Sequence, residues 1–332
     1  MHASRFAAAF AFSFLCAGAA CAAGTGYHVI DRISGPDGGW DYVRVDEANN
    51  RVLLTHGSSV MAVNLATKAV SSFGPGQRLH DAMPVNGGAE VMVTNGGTST
   101  VVFVNSKTGQ PVATVAAGKG PDAAGFDPKT GLAMTMDHQG QITLIDPKAH
   151  KVTGVIEVGG DLEAAAADGA GKVFVNVENK NEVVAVDIMK KSVLAHYPLT
   201  GCEGPTGLAY DAADKLLIAA CSASTDIVDA RTGQVVQTLA TGRGADGVAY
   251  DPKQKLAFVP AGRDGTLSVI KVAGGGKAAI VETVQTQVSA RTIAVDERTG
   301  RVYLPAAKYQ PATGGGRPGI VPGSFEVLVV GK

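Results

Sequence analysis

Net charge is nearly absent from this chain: 29 Lys and Arg stand against 30 Asp and Glu in 332 residues. No global field therefore draws it to nucleic acid or to an anionic membrane. Aromatic residues make up only 5% of the sequence, and no basic stripe interleaved with them marks a nucleic-acid surface. Past the N-terminus no apolar run approaches the ~20 residues that a membrane span takes. No serine sits in a nucleophile elbow, and no glycine-rich phosphate loop opens a helix, because the chain offers no helix to open. Cysteine is scarce, with four residues in all.

The first two dozen residues form a separate unit. His2 and Arg5 precede an apolar run from Phe6 to Leu15, and small residues follow, with Ala20 and Ala22 in an A-x-A arrangement. This pattern predicts a secretory signal peptide over 1–23, cleaved near Ala22 or Ala23, and so a periplasmic or secreted protein in an oxidising compartment. Reading Cys21 as a lipid-modified cysteine meets Gly18 where such signals want a branched apolar residue. Cleavage removes Cys16 and Cys21 and leaves Cys202 and Cys221.

What the chain does have is glycine, 43 residues of it, and a repeat. The stretch GADGVAYDPKQKLAFVPAGRDGTL, from Gly244 to Leu267, holds two apolar runs about a polar turn and then leads into a third, LSVI. Two strands joined by a tight turn are the reading. The residue that opens this turn recurs as Asp46, Asn86, Asp127, Asp168, Asp211, Asp251 and Asp296, at spacings of 40, 41, 41, 43, 40 and 45. Seven four-stranded units follow, and a regular repeat of this length overrides a division into two domains, so 24–332 is read as one. The seventh unit is one strand short, while YHVIDRIS near the N-terminus is a strand without a unit. The expected fold is all-β: a seven-bladed β-propeller whose last blade is closed by the N-terminal strand, which hides the sheet edges. It is expected to be a monomer. Pairing the first two strands of unit five brings Cys202 and Cys221 to the same end of a hairpin, which predicts a disulfide; two buried thiols are the other reading.

The segments GPTGLAYD, KLLIAA and VFVNVENKNEVVAVD resemble the repeat of the YVTN-family, YncE-like β-propellers, over the whole of 24–332. The resemblance implies an exported propeller and says little of function, since that family is similar in sequence to binding propellers and to enzyme subunits alike. The Tyr-Val-x-Asn tetrad of that family is degraded here to LLTHG, VMVTN, VFVNV and VYLPA, and its proline before the first strand survives at Pro121 and Pro205.

Five residues before each turn residue, at the top of the innermost strand, the repeats place Asp41, Asp81, Asp122, Glu163, Thr206, Asp246 and Arg291. Repeat symmetry makes this a ring at the channel mouth, and the first four acids form an arc. Converging carboxylates raise one another's pKa, spread into solvent or hold a cation; alternatively each caps its own loop by accepting backbone amides. Arg291 is expected to pair with Asp41 and Asp246. His56, His80, Asn95, Asp137, His138, Glu178 and Glu203 fall near the same face without forming a recognised metal motif, and His80 and His138 are the candidates for a general base. The long loop 308–324, with Lys308, Tyr309 and Arg317, is read as a lid or a disordered flap. Asp81, Asp122 and Glu163 are the expected ligands of a hard cation, Ca2+ first, because calcium accepts six to eight oxygens in flexible geometry.

The leading functional reading is a non-enzymatic exported binding protein that takes a small molecule, a cation or a protein partner at this mouth. The competing class is a metal-dependent hydrolase or lyase, similar to gluconolactonases or streptogramin lyases. Gluconolactonases look six-bladed, and the seven units here count against that version.

Overall fold

Strand alternation dictates the architecture. In the second strand of the first repeat, Arg51–His56, both Leu53 and Leu54 are fully buried, although successive residues of a strand point to opposite faces. A sheet that is apolar on both faces must be covered on both, and its neighbours in the ring do this. Leu53 packs with Val91 and Val93 of the next repeat, while Leu54 packs with Tyr303 and Val327 of the last. In repeat six, likewise, Ala257 and Val259 face repeat five and Phe258 faces repeat seven. The core is thus a set of seven apolar walls between seven sheets, not one central mass.

The computed structural model describes residues 24–311 and 318–332; the expected signal peptide, with Cys16, Cys21 and its cleavage site, lies outside the described residues. Each sheet has four antiparallel strands, and in six of them the strands follow chain order. The seventh runs inside to outside as Ala294–Asp296, Arg301–Ala306, Glu326–Gly331 and then His28–Ser34. The expected seven-bladed propeller, closed by its N-terminal strand, is the observed fold. Among the described residues no helix is long and apolar enough to cross a membrane.

The turn acids that mark the period cap the turns they open. Asp127 accepts the amide of Thr130 at 2.9 Å, Asp251 that of Lys253 at 2.9 Å and Asp296 that of Arg298 at 3.0 Å. In blade five Cys202 and Cys221 are joined, with a Cα–Cα distance of 5.5 Å and a sequence separation of 19. Closing a loop of this length constrains the unfolded chain by about 3 kcal/mol. Cys202→Ala/Cys221→Ala is expected to lose about that much stability in urea unfolding, and alkylation before reduction should leave the mass of the signal-free protein unchanged. Two alkylatable thiols would contradict the bridge.

The blades are not equivalent at the top. In the first four the innermost strands are Trp40–Asp46, Leu79–Val85, Pro121–Asp127 and Leu162–Ala167. Each carries a register shift at the same height, between Trp40 and Val43, Leu79 and Ala82, Pro121 and Ala124, and Leu162 and Ala165. The innermost strands of the other three, Gly207–Asp211, Ala249–Asp251 and Ala294–Asp296, pair regularly and are shorter. A bulge leaves a residue unpaired, bends its strand and re-aims the side chains there. Four adjacent blades therefore build a mouth unlike the other three.

Candidate functional site at the channel mouth

Buried hydroxyls fix the bulges. Thr55 Oγ1 donates to the carbonyl of His80 at 2.8 Å, Thr94 Oγ1 to that of Asp122 at 2.7 Å and Thr292 Oγ1 to that of Asp41 at 3.0 Å. Each bond ties one blade to the bulge of the next, so the side chains at the mouth stand on a braced backbone. From these positions His80 Nδ1 lies 2.7 Å from Asp41 Oδ2 and 2.7 Å from Asp122 Oδ1. His138 Nε2 is 3.7 Å from the same Asp122 oxygen, and its Nδ1 is 2.6 Å from Asp161 Oδ1. Burial disfavours the charged form of His80, but its bonds to Asp122 and Asp41 outweigh this and lift its pKa to about 10. Burial also raises Asp41.

The other ring residues divide between two sides. Glu163 accepts the Tyr42 hydroxyl at 3.2 Å; burial, with Asp122, Asp246 and Glu178 nearby, pushes its pKa up to about 10. Asp246 accepts Arg291 Nε at 2.7 Å. Burial lifts Asp246 to about 6 against the pull of that guanidinium. Of the two partners expected for Arg291, then, Asp246 is bound, while Asp41 turns to His80. Arg291 also donates to the Trp40 carbonyl at 2.8 Å and lies 5.2 Å from the Trp40 ring centre. Thr206 bonds the Ala245 carbonyl at 3.2 Å.

Asp81 departs from the expected calcium set. It is fully buried, accepts Arg44 Nε at 3.0 Å on one oxygen, and takes Arg44 Nη2 and the Ala124 amide on the other. By strand register His80 is the equivalent of Asp41, Asp122 and Glu163, and Asp81 of Tyr42, so blade two contributes an imidazole to the mouth where the count from Asn86 points to a carboxylate. Loop capping, the alternative for the ring acids, is the role of Asp137, which accepts the amides of Gln139 and Gln141 at 3.0 and 2.9 Å. Among the described residues Asp41, Asp122 and Glu163 accept no amide of their own loops. His56 is buried with its ring edge against Phe325, Asn95 accepts the Gln77 amide, and Glu203 is exposed away from the cluster.

Four residues of the mouth escape a reading of the sequence. Tyr42 and Arg44 extend from blade one across the channel, to Glu163 of blade four and to Asp81 and the Ala124 carbonyl of blades two and three. They divide the interior below the mouth into cavities of about 70 and 230 Å3. Asp161 stands two residues before the ring position, and Trp40 one before it. Over blades four to seven a cavity of about 370 Å3 is lined by Glu178, Thr206, Asp246, Arg263, Arg291 and Tyr309. Tyr309 belongs to the long loop, whose described base is held by a bridge from Tyr309 to Ile320 and by Asp37 accepting the Gly323 amide. Arg317 lies outside the described residues.

No known protein-family profile matches this sequence, and no curated protein matches it. Solved structures do match in shape. A chain in the crystal structure of the mitotic checkpoint complex superposes with a TM-score of 0.73 at 13% identity, covering 92% of this chain and 94% of that one. A chain of Kuenenia stuttgartiensis hydrazine synthase does so with a TM-score of 0.72 at 13% identity, over 82% and 94%. At that identity the likeness is one of fold.

Proposed function

We propose that this chain is an exported, YncE-like β-propeller that acts as a binding protein and takes a cation, or the cationic end of a small ligand, at the channel mouth. The observation that carries the reading is the convergence of Asp41, Asp122, Asp161 and Glu163 on His80 and His138 at four adjacent bulges, three of them braced. Carboxyl groups pressed together at a fixed mouth gain from a positive guest. Of the expected calcium ligands, Asp122 and Glu163 stand there. A cation bound to the folded ring alone stabilises it by about 2.7 kcal/mol at 100 times its dissociation constant. Chelator-stripped protein is therefore expected to melt higher with at least one of calcium, zinc or choline, and Asp122→Asn/Glu163→Gln to lose the response. A transition that none of them moves would overturn the reading.

One observation favours a second reading, a metal-dependent hydrolase or lyase. Asp161 holds His138 by Nδ1 and leaves Nε2 turned to the mouth, as a general base requires. Lactone turnover that EDTA and Asp122→Ala both abolish would decide for it.

A further inference from the structure

We propose that the mouth is a transition-metal site of the zinc class, with His80 Nδ1, His138 Nε2, Asp122 and Asp41 as its ligands. This rests on the reading of the mouth as a cation site and narrows its guest. The donor atoms of His80, Asp122 and His138 lie within 4.8 Å of one another, and Asp41 Oδ2 is 2.7 Å from His80 Nδ1.

Two features point to a metal. The first is that His80 Nδ1 has a carboxylate oxygen at 2.7 Å on each of two blades, while an imidazole nitrogen carries one proton and makes one linear hydrogen bond. A divalent ion beside that nitrogen replaces the proton and bonds the nitrogen and an Asp122 oxygen together, with the Asp41 carboxylate free to turn toward it. With metal–nitrogen and metal–oxygen bonds of about 2.0–2.2 Å, a tetrahedral site spaces its ligand atoms by roughly 3.3–3.5 Å. Among His80, Asp122 and His138 the separations of 2.7 and 3.7 Å bracket that spacing, so small side-chain rotations join these three, and Asp41, outside that group, completes the site by a larger turn of its carboxylate.

The second feature is the bond from His138 Nδ1 to Asp161, 2.6 Å long and made outside the ligand cluster. It fixes the tautomer with the proton on Nδ1 and the lone pair on Nε2, which faces Asp122. A carboxylate behind a ligating histidine is the usual support of a zinc-type centre. Two nitrogens among four donors also select against calcium and magnesium, which take oxygen. The braces from Thr55, Thr94 and Thr292 hold the backbones that carry three of the four ligands.

The test uses the signal-free protein, stripped by chelator and titrated with zinc alone, calcium alone and choline alone. Zinc is expected to bind one equivalent and raise the melting transition at concentrations where calcium does not. Co(II) in its place should show the visible ligand-field absorption of a low-coordinate site. His138 is half-exposed, so His138→Ala keeps the fold; it should weaken zinc by about 100-fold or more and abolish the cobalt bands. Asp161→Asn keeps all four ligands and should weaken zinc by about 10–100-fold. Zinc held as tightly by His138→Ala as by the wild type would overturn the assignment. Calcium or choline binding without zinc would overturn it too and leave the broader reading standing, whereas a protein that binds none of the three loses both.

Discussion

Without residues 27–34 the protein is expected to lose its cooperative unfolding transition. The strand His28–Ser34 pairs with Glu326–Gly331 along its whole length and forms the outer edge of blade seven. Just before it Tyr27, nearly buried, sets its ring against Phe258 at 5.1 Å and donates its hydroxyl to the Gly300 carbonyl at 3.0 Å. Near its end Ile33 packs with Tyr303 and Val327. Burying two such side chains contributes about 1.5–3 kcal/mol each. Strand pairing adds to this, and a typical domain has only about 5–15 kcal/mol in all. The deletion also bares Glu326–Gly331 as an open edge. Urea unfolding followed by circular dichroism should show a broad, early loss of structure, and a synthetic peptide of residues 24–35 should restore the sharp transition. A deletion variant that unfolds as the intact chain does would mean that the ring holds without its closing strand.

Asp81→Ala is expected to destabilise the protein by about 3 kcal/mol, the low end for a buried pair because the Arg44 side chain it orphans is 34% exposed. Asp81 is 0% exposed, and its oxygens serve Arg44 and the Ala124 amide together. Burying two charges costs much of what their attraction returns, so replacing both by apolar groups of similar size is far milder than removing one. Arg44→Met/Asp81→Leu should therefore unfold within about 1–2 kcal/mol of the wild type, with part of the loss at the Ala124 amide. Guanidinium unfolding of the single and double variants measures the difference. If the double variant is as unstable as Asp81→Ala, the pair is not what Asp81 contributes.

The fold is legible in the sequence because one signal is repeated seven times. The turn acids set the period, the paired apolar runs mark sheets covered on both faces, and the unpaired strand at one end matches the deficit at the other. The same counting places Asp41, Asp122, Glu163, Asp246 and Arg291 around one opening. It goes astray at Asp81 because Asn86 stands one residue past the position that Asp46 and Asp127 hold opposite the second strand, a place taken in blade two by Val85 opposite Glu90, so counting back from it lands one residue late. His80 and Asp81 exchange roles for that reason. Asp161 is hidden because it sits two residues outside the ring position, and only folding brings it behind His138. Tyr42 and Arg44 read as ordinary alternating strand residues. Their reach across the channel depends on the width of the ring, which no local pattern encodes.

That crossing narrows the channel beneath the mouth. On the proposed reading, a guest among Asp41, His80, Asp122 and His138 has Tyr42 and Arg44 beneath it, reaching from blade one to blades two, three and four. On that reading a partner seated across the rim, near Trp40 and Tyr309, would slow release of the guest without touching its ligands. Release becomes a property of the rim, and affinity a property of the floor.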